Sequence, residues 1–580
     1  MKRLLPYLKN YRKECILAPV FKMLEAVLEL FVPLVVAAMI DKGMGLSNRK
    51  YLVMMTALLL FLALVGLTVS IIAQFFAARA AVGFATGVRS ALFRHLQRFS
   101  YTQIDSMGTS TMITRMTSDI TLAQNGVNMV LRLLLRSPFV VLGAMIMAFT
   151  IDVWSAFLFV AVIFALSAAV FLIMNYHIPM MQQVQKRVDA LTQTVRENLK
   201  GVRVLRAFVK EQDQIGRFRS KNEALLSAQK KTGMVAGLLN PLTYVIVNLG
   251  IILLIRTGAV QVGRGRLTNG QVVALYNYMS QILIELIKLA NLIVTVNKAL
   301  AGARRIADAL AMPAIEPQKL TEANYLEQVE GAAAVSFENV SLTYQGAGQA
   351  ALCDITFSAS DGQIIGIIGG TGCGKTSLVN LIPHFYEATG GSVKIYGRDV
   401  RDYTEQQLLS MIAVVPQKAV LFAGSIADNL KWGNDHADDH AMLEAVGIAQ
   451  ATDVVSAKGG LEGMVEQNGR NLSGGQKQRL TIARAVVGKK PILILDDSSS
   501  ALDMATDRRL RDAIAALKPR PLTFIVSQRT TSISHADLIL VMDNGRIVGS
   551  GKHEMLLESC EVYREIYDSQ NAPMQGGQAV

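Results

Sequence analysis

At 580 residues the chain is too long for one compact domain, and with 51% of its residues apolar it is neither a disordered polymer nor an ordinary water-soluble protein. Its formal charge of +13 raises nucleic acid as a partner. Lys and Arg cluster beside long apolar stretches, however, where membrane topology and anionic lipid account for them, so no nucleic acid is expected.

The apolar excess lies in the first 300 residues. Six stretches there are long enough to cross about 30 Å of hydrocarbon as helices: 16–40, 52–80, 128–151, 153–176, 234–257 and 270–297. The N-terminal MKRLLPYLKNYRKE is basic, but the apolar run after it is too long for a signal-peptide core and no small-residue cleavage pattern follows, so it reads as a retained first helix. Arg89, Arg94, Arg98 and Arg115 fall between the second and third spans, and a basic run from Lys186 to Lys231 between the fourth and fifth. Segments 41–50 and 258–269 carry fewer, despite Lys50, Arg264 and Arg266. The bias places both termini and the two long connections in the cytoplasm.

From Tyr51 to about Ile104 the helical pattern continues without proline, a rod of roughly 75 Å. The same reasoning applies to 153–200, where Pro179 is a candidate kink, and to 213–257. Two cytoplasmic helical hairpins result, with tips at Gly108–Asp119 (GTSTMITRMTSD) and Gly201–Asp213 (GVRVLRAFVKEQD) that read as exposed turns or as docking surfaces. This gives a membrane domain at 1–310, a linker at 311–332 carrying Pro313 and Pro317, a second domain at 333–572 and a tail at 573–580.

Beyond the linker, VSFENVSLTY, QIIGIIGG, SVKIYG, IAVVPQ, PILILDD, LTFIVS and LILVMDNGRIVGSG read as strands separated by helical segments, an α/β domain on a largely parallel sheet. One apolar strand leads into Gly369, Gly370, Thr371, Gly372, Cys373, Gly374, Lys375 and Thr376, with a helix beginning near Ser377. That context fits a phosphate-binding loop: backbone N–H groups cradle phosphate, the lysine meets the outer phosphates and the threonine hydroxyl meets Mg²⁺. PILILDD delivers Asp496 and Asp497 to the ligand-binding edge of such a sheet, Asp496 on the Mg²⁺ side. A second anion nest follows Leu472 at Ser473, Gly474, Gly475 and Gln476, at the start of another helix. One γ-phosphate does not require two nests in one domain; two domains facing head to tail do.

On these motifs the chain resembles an ATP-binding cassette (ABC) exporter half-transporter, LSGGQ at 472–476 being the family signature. The resemblance spans nearly the whole chain and implies a multi-pass α-helical membrane domain of six transmembrane helices fused to a cytosolic α/β P-loop ATPase domain. It implies that Tyr344 stacks on adenine, that Gln417 is the Q-loop residue serving ATP and Mg²⁺, and that Ser500–Asp503 form the D-loop. It also assigns Gly108–Asp119 and Gly201–Asp213 to the segments bearing the coupling helices.

Two positions depart from the family pattern. Asp497 stands where a glutamate polarises the attacking water, and Gln528 stands for the switch histidine. A carboxylate one methylene shorter falls short by about 1 Å, a misplacement able to cost about 10²-fold in rate. Glutamine donates a hydrogen bond but cannot become cationic. Together they resemble the non-consensus subunit of bacterial heterodimeric multidrug exporters, whose own site binds ATP and turns it over slowly while its LSGGQ completes the partner's site. Tolerated substitutions in an ordinary homodimer are the plain alternative.

In the sixth span Tyr278, Gln281, Glu285, Lys288, Asn291 and Thr295 share a helical face, as Lys22, Glu25 and Glu29 do in the first. They read equally as internal pairs or as cavity lining. If Glu25, Glu29, Tyr278, Gln281 and Glu285 line a cavity, its acidity would favour organic cations. The 25 methionines suit an adaptable surface or simple core filling, and Cys15, Cys353, Cys373 and Cys560 lack metal-ligand spacing. The expectation is ATP- and Mg²⁺-dependent export of amphipathic compounds from a bacterial inner membrane, with a second half-transporter and the bilayer as partners. A slow homodimeric exporter, a nucleotide-sensing membrane subunit and an importer on the exporter fold remain alternatives.

Overall fold

The computed structural model describes residues 3–314 and 331–571. Pro317 of the predicted linker and the predicted tail at 573–580 lie outside the described residues. The chain divides into two compact units, Met1–Gln97 with Thr109–Pro313 and Arg98–Gly108 with Ala314–Val580.

In the first unit, six helical stretches are long and apolar enough to cross a membrane: Leu5–Met44, Arg49–Leu96, Thr109–Ile151, Val153–Lys200, Glu211–Gly263 and Asn269–Ala309. Helices α1 (Arg12–Ala38) and α2 (Arg49–Leu96) pack through small side chains. On α2 the buried face runs through Ala73, Ala77, Ala80, Ala81, Phe84, Ala85 and Val88, steps of three and four that let backbones approach closely. Leu60, Phe61, Leu64, Leu67 and Ile71 point outwards, which suits lipid rather than water. Helix α2 is a single rod of 48 residues, about 72 Å at 1.5 Å per residue. It stops at Leu96, short of the expected Ile104: the chain turns at 97–100, and Ser100 caps a separate short helix, α3 (Tyr101–Met107), reciprocally with Gln103.

The third stretch is interrupted. Helix α4 (Ile120–Leu133) gives way to α5 (Arg136–Ile151) across Leu134–Leu135. Helix α6 (Val153–Lys200) runs through Pro179 without a break in helical assignment, so the expected kink candidate does not divide it. Helices α7 (Glu211–Gly237) and α8 (Leu239–Gly263) meet at Leu238, and α9 (Asn269–Ala309) completes the set, capped by Thr268 and Gln271.

Arg136, at the start of α5, ties three of these helices together. Its guanidinium donates to Glu285 of α9 at 2.6 Å and to Glu29 of α1 at 2.6 Å, and Glu285 also accepts from Ser137 at 2.8 Å and Lys288 at 2.8 Å. The side chains of Arg136 and Glu285 are only 7% and 2% exposed, so each is the other's principal compensation for lost hydration. Lys22 is likewise held by Glu25 at 2.5 Å and by Ser70 at 3.1 Å. Tyr278 is buried, its hydroxyl donating to the Leu30 carbonyl at 2.6 Å.

The second unit is the α/β domain. Strands β1 (Val335–Leu342), β2 (Leu352–Ala359), β4 (Gly390–Ile395) and β5 (Arg398–Asp399) form an antiparallel sheet ordered β2-β1-β4-β5. The larger sheet combines β3 (Ile364–Gly369), β6 (Ile412–Val415), β7 (Ile492–Asp496), β8 (Leu522–Val526), β9 (Leu538–Asp543) and β10 (Arg546–Gly551) in the order β10-β9-β3-β8-β7-β6. All its pairings are parallel except β9 with β10. Strands β3, β7 and β8 are buried along their whole lengths, which explains why they read as continuous apolar runs rather than alternating ones. Helix α3 belongs with this unit: the Tyr101 ring stacks on Phe385 at 4.4 Å between centroids, and the Tyr386 hydroxyl donates to Asp105 at 2.7 Å.

Removing one member of the buried Arg136–Glu285 pair strands the other. Arg136→Met should destabilise the protein by about 3–5 kcal/mol, and the double change with Glu285→Met should recover most of that loss. Unfolding in mixed detergent micelles checks it, a neutral single mutant being the contrary result.

Candidate nucleotide site

The parallel strands deliver their polar residues to one edge. Leaving β3, the chain forms the loop 370–374 and enters α10 (Lys375–Leu381). Gly374 adopts φ of 101°, and a Cβ there would lie 2.7 Å from the Ala351 carbonyl oxygen, so glycine is required on both counts. The Lys375 ammonium folds back into the loop, donating to the carbonyls of Gly369 at 2.8 Å and Gly370 at 2.7 Å. Thr371 and Gly372 are exposed at the loop crest, and Cys373 is buried beneath it.

Asp496, the last residue of β7, accepts from the Thr376 hydroxyl at 3.0 Å. Burial pushes its carboxyl above the ordinary range, Asp497 beside it adds to the shift, and Thr376 and Lys375 oppose it. A buried carboxylate beside a hydroxyl is a hard-oxygen pair matched to Mg²⁺, which would be held there by Thr376 and Asp496 and would neutralise phosphate charge when bound. Asp497 follows at φ 45°, a left-handed conformation that a short polar side chain tolerates, with its N–H donating to the Val526 carbonyl at 3.0 Å. Gln417, just past β6, places its amide 3.3 Å from the Asp497 carboxylate. Gln528, just past β8, is exposed.

Tyr344 lies beside this loop, its hydroxyl donating to Ser377 at 2.9 Å and its ring edge-on to Tyr386 at 5.1 Å. Burial, together with the bond to Asp105, pushes the Tyr386 phenol far up, so it stays a donor at neutral pH. Ser473 caps α11 (Gly474–Val486), and the recorded side-chain bonds of Ser473 and Gln476 are to each other's backbone, a capping box. Ser473 and Gly474 are exposed. The structure therefore brings together Gly369, Gly370, Thr371, Gly372, Cys373, Gly374, Lys375, Thr376, Ser377, Gln417, Asp496 and Asp497, while Ser473, Gly474, Gly475 and Gln476 form a separate nest, exposed at its first two residues and half-buried at the other two.

The membrane-side candidates behave differently. Glu285 and Tyr278 are buried and partnered, and Glu25 and Glu29 are engaged by Lys22 and Arg136. Of the two open readings of these residues, the geometry here is that of internal pairs. An apolar cavity of about 210 Å³ in the first unit is walled by Leu4, Leu8, Phe84, Val127, Val130 and Leu300, and none of Glu25, Glu29, Tyr278, Gln281 or Glu285 lines it. Arg136 was absent from the sequence-based candidates, although a charge inside an apolar span is itself a signal. The short helix packed on the α/β domain is α3, upstream of the 108–119 segment assigned to coupling; capping by Ser100 was the available cue.

Residues 15–286 match the family model for the ABC transporter transmembrane region, and residues 352–500 the family model for the ABC transporter. An ABC transporter ATP-binding protein of Mycobacterium tuberculosis is 32% identical over 97% of both chains. The chain belongs to the ABC transporter family. This transporter is also 29% identical to a putative multidrug export ATP-binding/permease protein of Bacillus subtilis, over 98% of this chain and 99% of that one. It is 25% identical to the ATP-dependent lipid A-core flippase of Vibrio vulnificus, over 98% and 97%. A bacterial Atm1-family ABC exporter with ATP bound superposes with a TM-score of 0.79 at 23% identity, covering 98% of this chain and 99% of that one. The fold is thus an N-terminal membrane domain of six apolar helices fused to a C-terminal ABC ATPase domain, in a multi-pass membrane protein.

Because burial raises the Asp496 carboxyl, its ionised form is disfavoured by folding. That penalty applies above the unfolded value and fades as pH falls through the raised one. Asp496→Asn should therefore raise the thermal midpoint of the nucleotide-free protein at pH 7.5 and abolish the extra stabilisation given by Mg²⁺ with ATP. Differential scanning measurements with and without Mg²⁺ check both signs.

Proposed function

We propose that this transporter is the degenerate-site half of a heterodimeric exporter, driving hydrophobic or amphipathic small molecules across a bacterial inner membrane by alternating access, with both termini cytoplasmic. The observation that carries the reading is the joint occurrence of Asp497 and Gln528 at a site whose Lys375, Thr376 and Asp496 are all present. Lys375, Thr376, Tyr344 and Asp496 bind Mg²⁺ and ATP, while Asp497 and Gln528 serve hydrolysis poorly. The shorter carboxylate stops short of the attacking water, and the neutral amide offers less charge to the transition state.

The nest at Ser473, Gly474 and Gly475, exposed at its first two residues, is accessible to a second cassette, which supports a shared pair of sites. A relative named for multidrug export and another named a lipid A-core flippase support a hydrophobic cargo. Internal pairing of Glu25, Glu29 and Glu285 leaves little net acidity to select organic cations, so cation selectivity forms no part of the proposal.

ATPase activity of the full chain, alone and with candidate partner half-transporters, tests the reading. The expected result is low activity alone, high activity with one partner, and a gain of about 10²-fold at this chain's own site from Asp497→Glu with Gln528→His. Brisk activity from the unmodified chain alone would instead favour a homodimer.

A further inference from the structure

The last helix among the described residues, α13 (Glu561–Asn571), follows α12 (His553–Ser559) and is anchored by the fully buried Tyr563, whose hydroxyl lies 2.7 Å from His553 Nδ1. From its final turn Gln570 reaches the loop that follows β8. Its Oε1 accepts from the Thr530 backbone N–H at 2.9 Å and from the Thr530 hydroxyl at 3.0 Å, and its Nε2 donates to the Gln528 carbonyl at 2.7 Å. One amide thus satisfies backbone groups on both sides of Arg529, accepting and donating at once.

The rest of that loop is held separately. Arg511 donates to the Thr531 carbonyl at 3.0 Å, and the Ser532 hydroxyl donates to Asp507 at 2.9 Å. Among the described residues, the carbonyl of Gln528 has Gln570 as its recorded side-chain donor, and the Gln528 side chain itself is exposed. The flanks of Gln528 are held by the core, the Ser527 N–H donating to the Ile367 carbonyl at 3.1 Å and the Arg529 N–H to the Ser527 hydroxyl at 3.0 Å, while the Gln528 carbonyl itself is tied to α13; a loop ordered in advance spares a bound ligand the entropy of ordering it.

We propose that Gln570 is a positioning residue: by pinning the backbone of Gln528 it sets how firmly this chain's own nucleotide site retains ATP. The inference rests on the reading of Lys375, Asp496 and Gln528 as one ATP site. It requires a side chain able both to donate and to accept. Methionine matches the length of glutamine without replacing its hydrogen bonds. Glutamate accepts from Thr530 when ionised but sets an oxygen anion against the Gln528 carbonyl; once protonated, it donates there as the amide does.

The test is release of radiolabelled ATP from the full chain in lipid nanodiscs with Mg²⁺, chased with unlabelled ATP between about pH 4 and pH 8, a range that spans the ordinary glutamate carboxyl, and expressed relative to wild type at each pH. Gln570→Met should release ATP about tenfold faster at every pH, equivalent to about 1.4 kcal/mol, with its thermal midpoint unchanged. Gln570→Glu should match Gln570→Met at pH 8 and return towards wild type as its carboxyl protonates. Wild-type release by both variants would overturn the positioning role, as would faster release by Gln570→Glu that acid does not rescue. Failure of the wild type to retain ATP at all would overturn the site reading together with this one. Rapid hydrolysis by the wild type would sink the slow-site reading alone, and the same variants should then lower kcat.

Discussion

The hydrogen bond between Thr376 and Asp496, 3.0 Å long, is the constraint on which the cassette depends, because it joins the start of α10, just after the phosphate-binding loop, to the end of β7, two strands away from β3. It exists because β3, β8 and β7 lie side by side and parallel, so that each ends at the same edge. Lys375 enters from the first, Gln528 from the second, and Asp496 with Asp497 from the third. The buried carboxylate costs stability while no cation is present. Placing it there makes sense for a site built to receive Mg²⁺ and phosphate.

The membrane unit meets the same difficulty and solves it without a ligand. Arg136 sits where an unpaired charge would be costly, and two carboxylates, Glu29 of α1 and Glu285 of α9, accept from it, Glu285 accepting in turn from the Ser137 hydroxyl of α5. Such a pair adds little net stability over an apolar replacement, but its geometry is demanding and so it specifies which helices meet and in what register. The small-residue face of α2 does the complementary work, admitting α1 closely where bulky side chains would hold it away.

The loop carrying Gln528 shows that the nucleotide edge is supported from outside the sheet. A side chain from the final helix replaces the backbone pairing that the loop loses on leaving β8. The catalytic motifs therefore do not describe the whole site, since part of its rigidity comes from a residue about forty positions downstream with no motif of its own.

The departures at 497 and 528 were legible only against the pattern of the family that the chain resembles; the six spans, the α/β domain, the phosphate-binding loop and the acidic pair at 496–497 were legible in the residues themselves. They depend on local pattern: apolar length, continuous burial of parallel strands, and glycine spacing before a helix. Tertiary structure decided which charges compensate one another. Lys22 with Glu25 and Glu285 with Lys288 lie within a helical turn and were readable as pairs, but Arg136 meets Glu285 across 149 positions and Glu29 across 107. The same holds for Gln570, whose partners are assigned only once α13 is packed, whereas the separate start of α3 was signalled locally by the Ser100 and Gln103 capping pair. A hydrogen bond between distant segments leaves no periodic trace in a chain. It is determined by where the packed backbone brings donors and acceptors within about 3 Å.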